Sequence, residues 1–191
     1  MLIDKYMKNK EPDSKIEIKY FNAKKSNGEH SVNAYVLIDG EMYRVRSELI
    51  LFNKDHSKIY AIKRNDINQY GIKANLPGGS AEPGVTLKDQ AITETKEECE
   101  VLAKNVFFTG VKIVKRYTTY PKWQKELLWP IGYRYEGHCT FVFVGEFDKR
   151  INRLPGGTDW DHEAAKKFKF YDPKELGLDD ERLRIINKYK K

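Results

Sequence analysis

Short apolar runs separated by polar turns dominate the chain from residue 31 to residue 64. The segment SVNAYVLIDGEMYRVRSELILF has two extended runs around Asp39-Gly40, a dipeptide that predicts a tight hairpin between such runs. A second pair of runs, ELILFN and KIYAIKR, lies on either side of a turn at KDHS. Runs of this length and composition predict strands of a buried sheet.

The segment after Gly84 changes from an extended to a helical pattern. Thr86 is followed three residues later by Asp89, which predicts a helix N-terminus with a hydroxyl cap. Helical spacing then places Leu87, Ala91 and Thr95 on one face. This face is small and only weakly apolar, so we expect it to pack closely on a sheet.

The remaining chain predicts further strands, loops and a terminal helix. NVFFTGVKIVKRY, HCTFVFVGEF and KFKFYD have strand patterns, TTYPKWQKELLWPIGYRYEG begins as a surface loop, and RINRLPGGTDWDHEAAKK is a second loop. We expect a helix to begin after Asp172-Pro173 and to continue through RLRIINKYKK. Residues 1–30 form a predicted lysine-rich lead-in with at most one strand, and residues 31–191 form the main domain.

Composition restricts the class of protein without identifying a substrate. The 191 residues suffice for one full core, and 40% hydrophobic with 33% charged residues fit a globular protein. The formal net charge of +7 favours anionic partners such as nucleotides or RNA, although scattered surface lysines give the same value. No run approaches the ~20 apolar residues of a membrane span. With only two cysteines, a reducing cytoplasm is the simplest expected location.

Three glutamates occupy one face at the C-terminal end of the predicted helix. Glu94, Glu97 and Glu98 have i, i+3 and i+4 spacing, which brings their carboxylates close together. They repel each other and also the negative end of the helix dipole. A divalent cation would reverse these terms, and dense hard oxygen ligands suit Mg²⁺ or Mn²⁺. A solvated acidic face is the alternative interpretation.

The position of this cluster after a glycine turn resembles the signature of the Nudix hydrolases. That pattern runs from Gly79 to an apolar residue at Val101, and Glu94, Glu97 and Glu98 fall on its glutamates. The flanking LPGG and Glu-Pro-Gly elements are also present. The resemblance covers roughly residues 31–185 and implies an α+β fold, a Nudix-type α/β/α sandwich with a mixed central sheet.

Four positions depart from the Nudix signature. An early glutamate is Val85, an arginine is Thr93, an apolar residue is Thr95, and a glycine is Glu100. In the family, the arginine helps to orient the glutamates, and Thr93 brings no charge. Two interpretations therefore stay open: an active metal-dependent hydrolase, or a catalytically impaired Nudix-fold protein that binds or senses a nucleotide or RNA.

The resemblance implies hydrolysis of a diphosphate linked to some other group, with Mg²⁺ or Mn²⁺ as cofactor. The metal ligands it predicts are Gly79, through its carbonyl, and Glu94, Glu97 and Glu98, of which Glu97 and Glu98 are also catalytic. For the general base we predict Glu163, on the loop before the last strand, with Asp161 and Asp159 as weaker candidates.

Substrate contacts are expected from cations and aromatic rings near the site. Arginine can pair with phosphate oxygens bidentately, and aromatic rings beside cations can stack a nucleobase. The candidates are Lys63, Arg64, Arg116, Tyr117, Tyr120 and Trp123. The same aromatic residues could equally be partly buried hydrophobes.

The group attached to the diphosphate is not determined by the sequence. ADP-ribose, a dinucleoside polyphosphate, a nucleoside triphosphate and capped RNA all fit the resemblance. In relatives, a tyrosine shortly past the signature favours dinucleoside polyphosphates, and Tyr117 lies 16 residues past Val101. Many relatives are dimers, so a homodimer stays open.

Overall fold

The computed structural model describes residues 17–25, 30–68, 72–117, 127–128, 134–152, 163 and 165–190. Its strands are β1 (Lys19–Lys25), β2 (His30–Ile38), β3 (Glu41–Phe52), β4 (Ile59–Lys63), β5 (Ala74–Asn75), β6 (Val101–Arg116), β7 (Leu127–Leu128), β8 (Gly137–Arg150) and β9 (Lys169–Tyr171). Helices α1 (Leu87–Cys99) and α2 (Asp180–Tyr189) and a 3-10 turn (Pro173–Glu175) complete the described elements.

The sheet is mixed, as the sequence predicts. Strands β3 and β8 run parallel, from the pair Tyr43 and Gly137 to the pair Phe52 and Glu146. The other strand pairs are antiparallel, including β6 with β8, β2 with β1 and β3, and β4 with β3, β5 and β9. Strand β3 therefore lies at the centre of the sheet.

Both faces of the sheet are buried, one under α1 and the other under α2. Leu49 and Leu51 of β3 belong to the core cluster that contains Ala91 of α1. Ile50 and Phe52, one residue out of phase, belong to the cluster that contains α2. Because side chains alternate across a strand, α1 and α2 cover opposite faces. This arrangement confirms the predicted α/β/α sandwich.

The hairpin between β2 and β3 is also confirmed. Asp39 and Gly40 have φ values of 53° and 81°, so both occupy the left-handed region that a two-residue hairpin loop of type I′ requires. Strand β3 continues without a break from Glu41 to Phe52, where it pairs with Ile59 of β4. The two runs predicted after the turn are thus one long strand.

Helix α1 begins as predicted. The Thr86 side chain accepts a hydrogen bond of 3.1 Å from the backbone N–H of Asp89, which satisfies one of the free donors at the helix start. The predicted inner face, Leu87, Ala91 and Thr95, is buried.

The predicted start of the terminal helix after Asp172-Pro173 is wrong. Asp172 caps only the 3-10 turn at Pro173–Glu175. Gly177 then adopts a left-handed φ of 52°, which ends the turn. Asp179 provides a second N-cap, and α2 begins at Asp180. The correct signal was this second aspartate, which lies directly before the apolar periodicity.

Strand β1 joins residues of the predicted lead-in to the sheet. It pairs with β2 along six positions and with β7 at its other edge. The boundary at residue 30 stays a prediction. Most of the stretch at 118–137, which is predicted to begin as a loop, and the second LPGG sequence at 154–157 lie outside the described residues. In the described part of the chain, no helix is long and apolar enough to cross a membrane.

Candidate active site

The glycine turn before α1 is held against the edge of β3 by backbone hydrogen bonds. The N–H of Ser47 donates to the carbonyl of Gly79 over 3.0 Å, and the N–H of Leu49 donates to the carbonyl of Pro77 over 2.8 Å. Along this edge, β3 pairs first with β2, then with the turn, and then with β4. The turn therefore fills the gap between two strands of the sheet.

Both glycines of the turn make contacts that a side chain would block. Gly78 has a positive φ of 151°, and a Cβ there would lie 2.3 Å from the carbonyl oxygen of Ser47. A Cβ on Gly79 would lie 1.9 Å from Oε1 of Glu94. The space beside Gly79 is thus occupied by a carboxylate of the predicted metal site.

The structure places two of the three predicted glutamates against this turn. Glu94 accepts a hydrogen bond of 2.8 Å from Gln90, and Oε2 of Glu98 lies 3.4 Å from the N–H of Gly78. Burial, assisted by repulsion from Glu97, raises the pKa of Glu94. The third glutamate, Glu97, is exposed to solvent.

Two arginines from β3 reach the same turn. Nη2 of Arg46 donates to the carbonyl of Gly78 over 3.1 Å, and Nη2 of Arg44 donates to Oγ of Ser80 over 2.5 Å. Desolvation and then repulsion from Arg44 lower the pKa of Arg46 to about 10, against attraction to Glu48 and Glu98. Arg46 therefore remains a cation at neutral pH beside the acidic end of α1.

A buried ion-pair network joins β3 to helix α2. Arg182 donates to both carboxylate oxygens of Glu48, over 2.7 and 2.8 Å, and to Asp179 over 2.5 Å. Lys115 also donates to Asp179, over 2.5 Å. Burial alone would raise the pKa of Asp179, but the attraction of Arg182 and the hydrogen bond from Lys115 lower it overall. The network attaches α2 to the strand that carries Arg46.

A cavity of about 460 Å³ opens beside the turn. Its polar lining combines side chains from the strands, the glycine turn and the end of α1. These polar residues are Arg46, Glu48, Arg64, Asp66, Asn68, Asn75 and Glu98. Arg64, which the sequence analysis assigned to phosphate binding, thus lies on the same cavity as Glu98.

The other residues predicted to bind substrate or to act as the general base make contacts elsewhere or lie outside the described residues. Lys63 is exposed and pairs with Glu175 at 3.7 Å, Arg116 pairs with Glu41, and Glu163 pairs with Lys166 at 2.7 Å. Tyr117 is half-buried, with its ring centroid 5.8 Å from that of His138. Tyr120, Trp123, Asp159 and Asp161 lie outside the described residues. The roles of all these residues stay predictions.

Sequence reasoning missed Arg46, Glu48 and Arg182. A signal for the first two was present, because Arg44, Arg46 and Glu48 alternate along β3 and so share one face. Charges at period two within a strand that continues into apolar residues indicate paired or functional groups. No local signal could identify Arg182, since its partner Glu48 is 134 residues away in the sequence.

Most of the chain, from β3 to α2, matches a known family model. A NUDIX domain model aligns with residues 42–189, most of the chain. The chain belongs to the NUDIX family. The Nudix resemblance predicted from residues 79–101 is therefore confirmed.

Solved structures of Nudix proteins are also similar to this chain. The E. coli dihydroneopterin triphosphate pyrophosphohydrolase has 14% identity and a TM-score of 0.48, with 76% of this chain and 94% of that chain covered. A Nudix hydrolase from Nitrosomonas europaea has 15% identity and a TM-score of 0.46, with 77% and 88% covered. The comparison with curated proteins gave no match.

The donors around the glycine turn fit a hard divalent cation in their chemistry. Glu94 fills the space that glycine leaves at position 79, and Glu98 contacts the neighbouring Gly78. Carboxylate and carbonyl oxygens are the ligands that Mg²⁺ and Mn²⁺ prefer. Among the described residues, no three His, Cys, Asp or Glu side chains already converge on one point.

Proposed function

We propose that this Nudix protein hydrolyses a diphosphate bond in a nucleoside diphosphate linked to another group, with Mg²⁺ or Mn²⁺ as cofactor. One observation carries the proposal: Glu94 and Glu98 meet the Gly78–Gly79 turn beside a cavity that Arg46 and Arg64 also line. Adjacent cationic and carboxylate groups of this kind suit a substrate whose phosphates are bound partly by arginine and partly through a metal.

In this proposal, Glu94, Glu97, Glu98 and the carbonyl of Gly79 hold the cation. A bound divalent cation neutralises diphosphate charge, lowers the pKa of a water and stabilises the leaving oxygen. Arg64 binds a phosphate oxygen from the cavity wall. Its guanidinium now pairs with Asp66 at 3.1 Å, and both side chains are solvated enough for exchange to cost little.

We assign the general base to Glu163. Its carboxylate is exposed, and its partner Lys166 is a solvated lysine in a pair of low expected energy. A carboxylate in this state can accept a proton from an attacking water. Glu97 and Glu98 are the remaining acids whose loss should remove activity, since they lie at the proposed cation site.

For the linked group, dinucleoside polyphosphates are the first candidates, with ADP-ribose, nucleoside triphosphates and capped RNA alongside them. Tyr117 motivates this order through the family pattern. In the structure its ring packs near His138, and burial raises the pKa of its hydroxyl. For the Tyr117 ring to stack on a nucleobase, the face of the ring away from His138 must be accessible to the substrate. RNA binding and a homodimer are further proposals that the net charge and the family motivate.

A substrate panel tests the proposed function. The parent protein is incubated with each candidate class in Mg²⁺ or Mn²⁺, and products are separated by ion-exchange chromatography. Reaction in ¹⁸O-labelled water locates the phosphorus that is attacked. We expect turnover of at least one member, and loss of most of it in Glu97→Gln and Glu98→Gln.

Glu100→Gln is the matched control for these variants. It removes the same charge from the residue that caps the same helix, outside the proposed ligand set. Parent-like turnover in the double variant of Glu97 and Glu98 would show that the site assignment is wrong. If calorimetry shows nucleotide binding but there is no turnover with either Mg²⁺ or Mn²⁺, the result would instead favour a protein that binds or senses a nucleotide or RNA.

A further inference from the structure

Arg46 and Glu98 contact opposite polar groups of one residue in the glycine turn. Nη2 of Arg46 donates to the carbonyl of Gly78 over 3.1 Å, while Oε2 of Glu98 lies 3.4 Å from the N–H of Gly78. The three groups thus form a continuous link from β3, through the turn, to the end of α1. Arg46 is half-buried and lines the same cavity as Glu98.

Helix α1 lacks a cation of its own on the acidic face. Lys96 is the basic residue of its last turn, but it lies one or two positions from each glutamate, and residues at that spacing do not face each other on a helix. Thr93, directly before Glu94, is exposed and uncharged. A cation that orders these carboxylates must therefore come from another element.

We propose that Arg46 is a positioning residue of the active site, which fixes the Gly78 peptide and the Glu98 carboxylate in the orientation that binds the metal. The inference rests on the proposed function only for the identity of this site as a cation site. Strand β3 is suited to the role because its backbone also holds Pro77 and Gly79 of the turn. Arg46 and these backbone groups together leave the turn with little freedom.

A contact to substrate phosphate is the competing role for Arg46, and the sign of one measurement separates the two. By charge alone, removing a cation near an anionic site strengthens binding of Mn²⁺. Loss of a group that orients metal ligands weakens it, typically about 10–100-fold. The Mn²⁺ affinity of the full chain without nucleotide, measured by calorimetry, therefore separates the two roles. Replacement of Arg46 should raise this affinity if Arg46 only contacts substrate, and should lower it if Arg46 positions the metal ligands.

The test variant is Arg46→Gln, which keeps an amide donor for the carbonyl of Gly78 but loses the positive charge and the additional N–H donors of the guanidinium. We expect Mn²⁺ affinity to fall about 10–100-fold, with a thermal midpoint showing that the variant is folded. The matched control is Arg44→Gln, which removes the same charge from the same face of β3, where Arg44 contacts Ser80 instead. Its Mn²⁺ affinity should be unchanged or higher.

Coupling to Glu98 provides the second measurement. In the double variant with Glu98→Gln, the loss caused by Arg46→Gln should be much smaller than in the parent, because Arg46 acts through that carboxylate. Unchanged or tighter Mn²⁺ binding in Arg46→Gln, with only KM raised, would assign Arg46 to the substrate and overturn the inference. A parent that binds no Mn²⁺ would also overturn it.

A second variant and one further result distinguish the positioning role from an effect on folding and from the proposed function. If Arg46→Gln does not fold, Arg46→Lys carries the same test, with affinity below the parent expected and parent-like affinity counting against the inference. If Mn²⁺ binding depends on Arg46 while no panel member is hydrolysed, the proposed function fails and the positioning role stands.

Discussion

Replacement of Arg182 by methionine should destabilise the protein strongly. The Arg182 side chain is 0% exposed and that of Glu48 only 9%, so the change leaves a buried carboxylate without its bidentate partner. Breaking such a pair costs about 3–5 kcal/mol. For a domain of this size, ~2–4 °C per kcal/mol converts that loss to a fall in Tm of about 6–20 °C.

Urea unfolding followed by circular dichroism, together with calorimetry, measures this loss in the presence of a chelator. Arg134→Met is the control, since Arg134 pairs with Glu136 at the surface and its side chain is 62% exposed. A solvated pair contributes about 0–1 kcal/mol. The two arginine variants should therefore differ clearly in unfolding midpoint.

A double variant tests whether the loss comes from the unpaired charge. With Glu48→Met added to Arg182→Met, the buried Glu48 carboxylate disappears and two apolar side chains fill the space. Asp179 keeps its hydrogen bond from Lys115, so most of the lost stability should return. The reasoning is refuted if Arg182→Met lies within about 1 kcal/mol of the parent, far below the cost of an unpaired buried charge. It is also refuted if the double variant loses the sum of the two single losses.

Three other changes have defined outcomes. Asp179→Asn should cost stability at neutral pH but not in strong acid. The lowered pKa of Asp179 in the folded state stabilises the fold above the unfolded pKa of about 4, and this contribution is lost as the pH falls through the folded pKa. In urea unfolding at several pH values, a difference between parent and variant that stayed constant would contradict this. Gly79→Ala should slow hydrolysis about 10–100-fold with Tm near that of the parent, because the new Cβ displaces Glu94, and steady-state rates equal to the parent's would argue against this contact. Glu163→Gln, in the proposed general base, should lower kcat by about 10²–10⁴ without changing Mn²⁺ affinity; an unchanged kcat in stopped assays would remove Glu163 from the mechanism.

Features that depend on neighbouring residues were predictable from the sequence. The cap between Thr86 and Asp89 and the turn at Asp39-Gly40 are local, because their hydrogen bonds and dihedral angles involve residues a few positions apart. The faces of α1 follow from helical geometry alone. Helical spacing could therefore place Glu94 and Glu98 on one side of α1 before the fold was known.

Features that depend on distant partners were not predictable in this way. Arg46 meets Gly78 across 32 residues, and only the parallel and antiparallel registers of β3 determine which side chains reach the turn. The start of α2 was misplaced because Asp172 and Asp179 are both acceptable caps. Gly177 separates the two caps, and the apolar periodicity begins only after the second one.

Strand β1 has a practical consequence for anyone who shortens the chain. The family match begins at Met42, inside β3, whereas β1 and β2 precede it and are hydrogen-bonded to each other and to β3. A chain starting at the family boundary would leave a row of unpaired amide and carbonyl groups on β3. Exposed edges of this kind recruit strands from other molecules. Expression from residue 17 or earlier should thus give monodisperse protein where the shorter chain aggregates.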